Sequence, residues 1–491
     1  MSNSPETSKR SLSIDAGVPT AEIFITDGYN TVVARGVQSI RQELPVGIYK
    51  VRFRVGNTVA DTLFELPIGE GTFTPPDLLE VPMMSPVPLC APGNAAQSFA
   101  SSIASTWSTT VHVGHGKGSR VFLFVGAPAD SSLPIAPATV TLRTFAGTEI
   151  ASLAQGASDQ GCFGCTIELD PGGYILRVEC GDSPAVEQAV YTVWGFQTQV
   201  FLPVLQGKQA SIPDLSACAM FMPPLRFGFR PDWQSFRWAE AARRTLASGR
   251  MGVTPAQQLR GMQVIDPNDP MIEDILAGKF LSPMLGIYGA HLMAAQNNES
   301  CNDVIREVVT NLNKMVGDLP DITSLLLYLD DPLASTLTFP FPPMLAASWA
   351  LIVRHSVGLP NLVPAGSFSA NIAGSLWGSG AWLGWKATET QAAAPAPASS
   401  AADVDWNLLC QAASGDTSKM LHGDSKPVER AVMSYVAMSA KQFSLTSKFH
   451  PSSSSTPDAM RQPTPGGITA ATGIPYSVLL DAAASLTKRL K

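Results

Sequence analysis

A turn-and-strand pattern occurs twice in this chain, and the repetition constrains the N-terminal half more than any other feature. "LPVGIYKVRFRVGN" starts at Leu44, and "LDPGGYILRVECGD" starts at Leu169, 125 positions later and aligned without a gap. Each copy has a Gly-containing turn followed by alternating apolar and polar residues. This period of two is typical of an antiparallel strand with one buried face. We therefore predict two equivalent half-buried strands, with Tyr49 and Tyr174 pointing inward.

Further strand-like runs surround both copies. Two runs precede the first copy around the Asp27-Gly28 turn, two precede the second around Gly147, and another follows each copy. Short strands separated by turn residues predict small β-sandwiches. We assign residues 18–70 to a first sandwich module and residues 108–206 to a second, larger one.

The "L-P-x-G-x-Y-x-V" segment of the first copy resembles the carboxypeptidase-regulatory-like and prealbumin-like β-sandwich modules of bacterial proteins. The second copy departs from this pattern, because Asp170 stands in the place of Pro45 and its proline follows at Pro171. The resemblance implies a sandwich fold and a role as a spacer or binding platform. It implies no catalytic residue.

The hydrophobic period changes in the second half of the chain. Residues 71–107 are rich in Pro, Ser and Ala without a hydrophobic period, which predicts an extended linker. Beyond about Pro223, apolar residues recur at helical spacing, and a stripe of Val304, Val308, Leu312 and Met315 follows a capping-box-like start at residues 300–303. We predict an α-helical domain over residues 220–388.

Residues 389–491 are predicted to be a linker and C-terminal helices with disordered stretches. The last segment, "YSVLLDAAASLTKRLK", is an amphipathic helix that either docks on the protein or reaches a partner. The expected fold is therefore multidomain β + α: two small antiparallel β-sandwich modules followed by an α-helical domain and a partly disordered helical tail.

The composition excludes some classes of partner. The net charge is −7 and only 15% of residues are charged, and no dense run of Lys and Arg is present, so we expect no nucleic-acid partner. The N-terminus carries no secretory leader, and seven scattered cysteines fit a reducing compartment, so we expect a cytoplasmic location.

One segment raises the question of membrane contact. Residues 355–385 lack Asp, Glu, Lys and Arg for 31 positions but contain Pro360, Pro364 and many Gly and Ser. A spanning helix needs about 20 predominantly apolar residues. Buried or loop structure is the favoured interpretation, and a membrane-interfacial segment is the alternative.

Cysteine and glycine motifs each have a chemical and a structural interpretation. Cys162 and Cys165 have redox or zinc spacing, but no second pair stands at a workable spacing, so two neighbouring thiols are favoured over a labile disulfide. The glycine-rich stretch of residues 114–118, with His115, lacks the frame of a phosphate loop and predicts a hairpin turn.

Two further candidates contain histidine or acidic residues. His291 lies on an apolar helical stripe ten residues before Cys301, which favours a satisfied core histidine. Asp330 and Asp331 precede a proline, which favours a turn with solvated carboxylates over a metal site. We predict no catalytic residue, cofactor or metal site.

Aromatic clusters are the best candidates for binding residues. Their two open interpretations are packing between domains and contact with a partner, because Trp is enriched at interfaces and common in cores. The candidate residues are Trp194, Phe196, Trp233, Trp238, Trp377, Trp382 and Trp385.

Three functional hypotheses follow from these features. The favoured one is a non-enzymatic interaction or scaffold protein of bacterial type that binds protein partners, with a homo-oligomer as one form. The second is a regulated effector or protease substrate cleaved in the linkers at about residues 387–402 and 450–467. The third is an enzyme whose site is assembled from distant residues such as His115, His291 or a cysteine.

Overall fold

The computed structural model of the chain has β-sheets in its N-terminal half and helices in its C-terminal half. The expected multidomain β + α class is therefore confirmed. The structure describes residues 9–16, 22–29, 31–37, 39–55, 58–69, 71–74, 95–126, 137–180, 183–206, 211–225, 239, 242–243, 246, 275–276, 278–280, 282–295, 298–377, 380–387, 404–414, 428–437, 469 and 472–491.

The first module is a seven-stranded sheet that folds over on itself. Its strands are β1 (Lys9–Asp15), β2 (Glu22–Thr26), β3 (Val32–Val37), β4 (Ser39–Pro45), β5 (Gly47–Val55), β6 (Thr58–Leu66) and β7 (Thr72–Phe73). They follow the order β6-β5-β2-β3-β4-β1-β7. Only the pair Val37 and Ser39 joins β3 to β4, so the sheet bends there and encloses one core.

The second module consists of two six-stranded sheets. Its strands are β8 (Val113–Gly114), β9 (Ser119–Gly126), β10 (Val140–Thr144), β11 (Glu149–Ser152), β12 (Ala157–Asp159), β13 (Cys162–Leu169), β14 (Gly172–Cys180), β15 (Ser183–Thr192), β16 (Gln197–Leu202), β19 (Ala219–Phe221), β20 (Leu376–Trp377) and β21 (Gly384–Lys386). One sheet has the order β11-β10-β14-β15-β21-β20, and the other has the order β12-β13-β9-β16-β19 with β8 beside β13. A separate pair joins β17 (Val204–Gln206) to β18 (Ser211–Pro213).

The repeated segment forms the same corner in both modules. Each tyrosine strand begins at a glycine with a similar backbone angle, φ 157° at Gly47 and 158° at Gly172. The Tyr49 hydroxyl donates to the Pro45 carbonyl at 2.7 Å, and the Tyr174 hydroxyl donates to the carbonyl four residues before it, also at 2.7 Å. Such a tyrosine corner fixes the strand to the chain that enters it. The two copies are equivalent in local structure.

Two details of the sandwiches differ from the sequence expectation. Three strand pairs are parallel rather than antiparallel: β1 with β7, β8 with β13, and β9 with β16. Long connections between these strands permit the parallel arrangement. The prediction of a hairpin through residues 114–118 is wrong, because β8 and β9 do not pair with each other but lie on opposite sides of β13.

The stretch expected to be a linker contains regular structure. Residues 72–73 form β7, and Ala95–Thr109 form helix α1. Ala100 and Ala104 are buried one turn apart, and the Trp107 ring lies 6.2 Å from that of Phe124 on β9. Small residues at four-residue spacing allow this helix to pack closely on the sheet, although they give only a weak hydrophobic period.

After residue 280 the chain again forms helices whose bounds the structure describes. They are α2 (Pro283–Ala295), α3 (Asn302–Val316), α4 (Pro320–Tyr328), α5 (Ala346–His355) and α6 (Phe368–Ile372). The expected stripe on α3 is partly wrong, because Val304 is 41% exposed and Ile305 is buried instead. The expected cap is also replaced, because the Asn298 side chain accepts the Ser300 N–H at the start of the preceding 3₁₀ turn.

Strands β20 and β21 lie within residues 220–388, which were expected to be helical. Val186, Glu187 and Gln188 of β15 pair with the three residues of β21, about two hundred positions later. The uncharged segment of residues 355–385 therefore supplies part of a sheet of the second module. None of the described helices is both long and apolar enough to cross a bilayer.

The C-terminal segment docks back on the protein through helices α7 (Trp406–Ser414) and α8 (Tyr476–Leu490) and helical residues 428–437. Together with α5 they form a second helical core. The Trp349 indole N–H donates to the Gly473 carbonyl at 3.2 Å, and Ser477 donates to the Val363 carbonyl at 2.8 Å. The proposed cleavage segments, apart from residue 387, lie outside the described residues.

Candidate functional site

Trp194 is the most exposed of the described aromatic candidates. It follows β15 and is 70% exposed, yet its ring rests on the backbone of Gly118. A Cβ atom at Gly118 would lie 2.1 Å from the indole, so only glycine fits beneath this ring. The Gly195 N–H also donates to the Gly118 carbonyl at 2.7 Å. Trp194 is therefore exposed on one side and held in place on the other.

Trp377 lies on β20, the last strand of its sheet, and is 39% exposed. Strand β20 has only two residues and pairs with β21 on one side. Trp194 and Trp377 are the two described aromatic candidates that present surface to a partner. Trp233 and Trp238 lie outside the described residues.

The other three described candidates face the interior, which corrects their assignment as binding residues. Phe196, Trp382 and Trp385 are all at most 2% exposed. The Trp382 indole donates to the Cys218 carbonyl at 2.7 Å, and the Trp385 indole donates to the Glu187 carboxylate at 2.8 Å. Trp382 and Trp385 join the helices to the second module through Tyr288 of α2 and Phe368 of α6, as the packing interpretation expected.

Sequence reasoning missed an exposed apolar face on the first module. Ile48 on β5 is 66% exposed, and Leu63 on β6 is 71% exposed. Ile48 faces Glu65 and Leu63 faces Lys50 across the strand pair, so both side chains lie on the outer side of the sheet. Val32 on β3 is 55% exposed. It pairs with Thr26 of β2, which pairs in turn with Lys50 of β5. The alternation of apolar and polar residues in β5 was visible in the sequence, but the apolar Ile48 lies on the polar side of the strand.

The edge next to this face is open. Strand β6 has nine residues and pairs with β5 on one side, and no other described strand pairs with its outer edge. In the second module, the strand that follows the tyrosine strand is β15, and its outer edge is paired by β21. The two modules thus differ in whether this equivalent edge has a partner strand.

The two cysteines with redox spacing do not form a disulfide with each other. Cys162 and Cys165 lie on one strand, β13, three residues apart, so their side chains project to opposite faces. Both thiols are buried. Burial raises the pKa of the Cys165 thiol to about 11, which disfavours the reactive thiolate.

The glycine stretch around His115 is a packing feature. The backbone N–H of His115 donates to the Glu168 carbonyl at 2.9 Å, and the backbone N–H of Lys117 donates to the Asp170 carboxylate at 3.0 Å. A Cβ atom at Gly116 would lie 2.1 Å from the Asp170 nitrogen, so the two chain segments approach closely. Neither described cysteine of β13 is exposed to serve as a nucleophile near it.

A buried serine, histidine and aspartate meet between three helices. The Asp321 carboxylate accepts the N–H groups of Met344 and Leu345 at 2.8 Å each and the Ser348 hydroxyl at 2.7 Å. The His291 Nε2 lies 2.9 Å from the Asp321 carbonyl and 3.0 Å from the Ser348 oxygen. A proton on Nε2 satisfies both contacts.

This arrangement differs from a catalytic triad. In a triad the histidine accepts the serine proton and the carboxylate orients the histidine, whereas here the serine donates to the carboxylate. Burial lowers the pKa of His291 to about 4 and also raises the pKa of Asp321. The three side chains therefore tie α2, α4 and the start of α5 together, and the expectation of a satisfied core histidine is confirmed.

The remaining polar candidates have local structural roles. The Asp331 carboxylate accepts the Leu333 N–H at 3.0 Å and caps the 3₁₀ turn Pro332–Thr336, while Asp330 is exposed. Cys301 is buried at the start of α3. Within the described part of the chain, no three His, Cys, Asp or Glu side chains are grouped so that they could hold a metal ion.

A cleft opens where the second module meets the helices, and we call it the junction cleft. Its volume is about 510 Å³, and it lies between Tyr191 of β15, the α3–α4 connection and residues 333–341. The lining residues are Tyr191, Asn313, Asp318, Pro320, Thr323, Leu326, Leu333, Thr336, Leu337, Thr338, Phe339, Pro340 and Phe341. Its size is typical of a small-molecule site.

Comparisons with known proteins assign no family to this chain. No family model matches it, and no curated protein sequence matches it. Among solved structures, the Bacillus anthracis TIE protein is similar at 16% identity and a TM-score of 0.19, over 38% of this chain and 31% of that chain. A TM-score this low supports no conclusion about fold or function.

Proposed function

We propose that this chain is a non-enzymatic interaction protein whose first module binds a strand of a protein partner along β6. The supporting observation is the difference between equivalent edges, because β15 is paired by β21 whereas β6 has no strand partner among the described residues. An open strand edge presents backbone donors and acceptors that a second chain can pair with.

The exposed side chains beside this edge support the same proposal. Ile48 and Leu63 are exposed on the strand pair that contains the open edge. A strand added at β6 would extend the sheet and place its own side chains beside Leu63. Self-association through the same edge is one form of this function.

The test uses the intact chain with Ile48→Lys and Leu63→Lys combined. Charged side chains on an edge discourage strand addition, so we expect partner recovery from the host to fall at least about tenfold. The control is Val357→Lys, since Val357 is 43% exposed just after α5. Quantitative affinity purification, with sedimentation velocity for self-association, measures both.

Retention of binding by Val357→Lys and its loss in the double variant would support the proposal. Equal recovery of partners by the wild type and the double variant would contradict the proposal. It would also be contradicted if the wild type recovered no partner and remained monomeric at about 100 μM.

A further inference from the structure

The junction cleft presents several hydrogen-bond acceptors and one carboxylate, Asp318. We propose that it binds an alkylammonium group, a protonated amine on an apolar stem, supplied by a free amine or by a lysine side chain of a partner. This inference is independent of the strand-binding function proposed for the first module.

The hydroxyl groups in the cleft act as acceptors. Tyr191, Thr323 and Thr336 each donate their single hydroxyl proton to a backbone carbonyl, at 2.8, 2.9 and 2.8 Å. A hydroxyl that has used its proton retains only lone pairs for a ligand. The ligand that satisfies these groups must therefore bring donors.

The end of α3 adds stronger acceptors. Asn313 lies in its last turn, and its Oδ1 is buried without a hydrogen-bond partner. The exposed Asp318 follows two residues after the helix ends, where the helix dipole also favours a positive charge. None of the described lining residues is Lys or Arg. A cationic donor therefore fits the cleft better than an anion or a neutral acceptor.

The other wall suits an apolar stem. Leu333 is 60% exposed and Phe341 is 43% exposed, and both line the cleft. The Phe341 ring stacks on Phe145 with centroids 4.6 Å apart, so this wall is held in position. An alkyl chain lying against these side chains would place its ammonium group toward Asp318.

The first experiment is calorimetric titration of the full chain with hexylamine and with 1-hexanol, which has the same stem and no charge. We expect hexylamine to bind at least about tenfold more tightly than hexanol. Asp318→Asn should weaken hexylamine about tenfold, because it removes the charge that faces the ammonium group. The control is Asp303→Asn, an exposed acid at the opposite end of the same helix.

A second titration distinguishes the two sources of the amine. The probes are acetyl-Leu-Lys-Leu-amide and the same peptide with an acetylated lysine side chain. Tighter binding of the unmodified peptide than of hexylamine supports a partner lysine, and the reverse order supports a free amine. The proposal is overturned if hexylamine and hexanol bind equally, if neither amine probe binds at about 10 mM, or if Asp303→Asn weakens hexylamine as much as Asp318→Asn does.

Discussion

The two β modules share a corner and differ in what surrounds it. The first module has its own core, which includes Tyr49 and eight other buried residues among those that the structure describes. In the second module, Tyr174 packs against a core that continues into the helices, where Tyr288 lies 5.9 Å from Trp382 between ring centroids. The tyrosine hydroxyl contacts are equivalent because they span only four residues. The first module also touches the helices, because Arg35 of β3 pairs with Glu307 of α3 at 3.2 Å.

The difference also concerns the strand after each tyrosine strand. In the second module, β15 gains β21 as a neighbour and so becomes an interior strand. The equivalent β6 is nine residues long and lies at the edge of its sheet. Long open edges usually invite pairing, and proteins shorten or cover them when no pairing is wanted. The second module pairs this edge within the chain, whereas no described strand pairs with the outer edge of β6.

The largest expected effect comes from Trp385→Ala, which tests whether β21 stabilises the second module. Trp385 is 1% exposed, donates to Glu187 and meets the Phe368 ring edge-on at 5.7 Å. Removing a large buried aromatic side chain costs about 3–5 kcal/mol of unfolding free energy. We expect the free energy of unfolding of the second module and helices, measured by urea denaturation, to fall by this amount.

The control for that variant is Trp194→Ala, at the 70% exposed indole, with an expected cost below about 1 kcal/mol. Similar losses for the two tryptophan variants would show that β21 does not stabilise the second module.

Lowering the pH should destabilise the second module and its helices more than the first module, and this effect should be smaller than that of Trp385→Ala. Residues 9–74 contain no histidine, whereas His291 is buried among the helices with its pKa lowered to about 4. As the pH falls below about 6.5, the unfolded state binds a proton that the folded state does not. The stability due to His291 is complete above that pH and decreases by about 3 kcal/mol toward pH 4. The raised pKa of Asp321 works in the opposite direction and offsets part of this loss.

Denaturation midpoints of the wild type and His291→Gln between pH 7 and 4 isolate the histidine. The variant should lose stability more slowly with acid than the wild type, because glutamine does not titrate. His115→Gln, on an exposed turn, is the matched control. Parallel pH curves for the wild type and His291→Gln would contradict the assigned role.

The smallest expected effect comes from removing each corner hydroxyl. Tyr49→Phe and Tyr174→Phe each delete one 2.7 Å hydrogen bond and should cost about 1 kcal/mol. The first variant should destabilise only the first module, and the second only the second module with its helices. Segment-resolved proteolysis in urea measures the two separately. An effect of either variant on both modules would show that they unfold as one unit.

The sequence predicted the features that depend on near neighbours. The turn glycines and the alternating strands around Tyr49 and Tyr174 are local patterns. The inward face of each strand was predicted, but the second strand is not half-buried as expected, because Ile175 on its other face is also buried. Helix α3 was recognised from its 3.6-residue period, although its buried side is centred on Ile305 rather than Val304. Such patterns report burial without requiring knowledge of the partner.

The features that escaped prediction depend on distant partners. Strand β21 has three residues, too few to alternate visibly, and it pairs with Glu187 across about two hundred positions. Trp385 could not be told from a binding tryptophan, because core and interface environments favour the same residue type. The junction cleft combines Tyr191, Asn313 and Phe341 from three separate segments, and none of these segments carries a motif.

Hydrogen–deuterium exchange on the intact chain tests the central claim most directly, by following the tyrosine strands β5 and β14 in the wild type and in Trp385→Ala. If the second module depends on β21 while the first has a separate core, the variant accelerates exchange in residues 172–180 and leaves residues 47–55 unchanged. Equal acceleration in both strands would contradict the account, and so would unchanged exchange in residues 172–180.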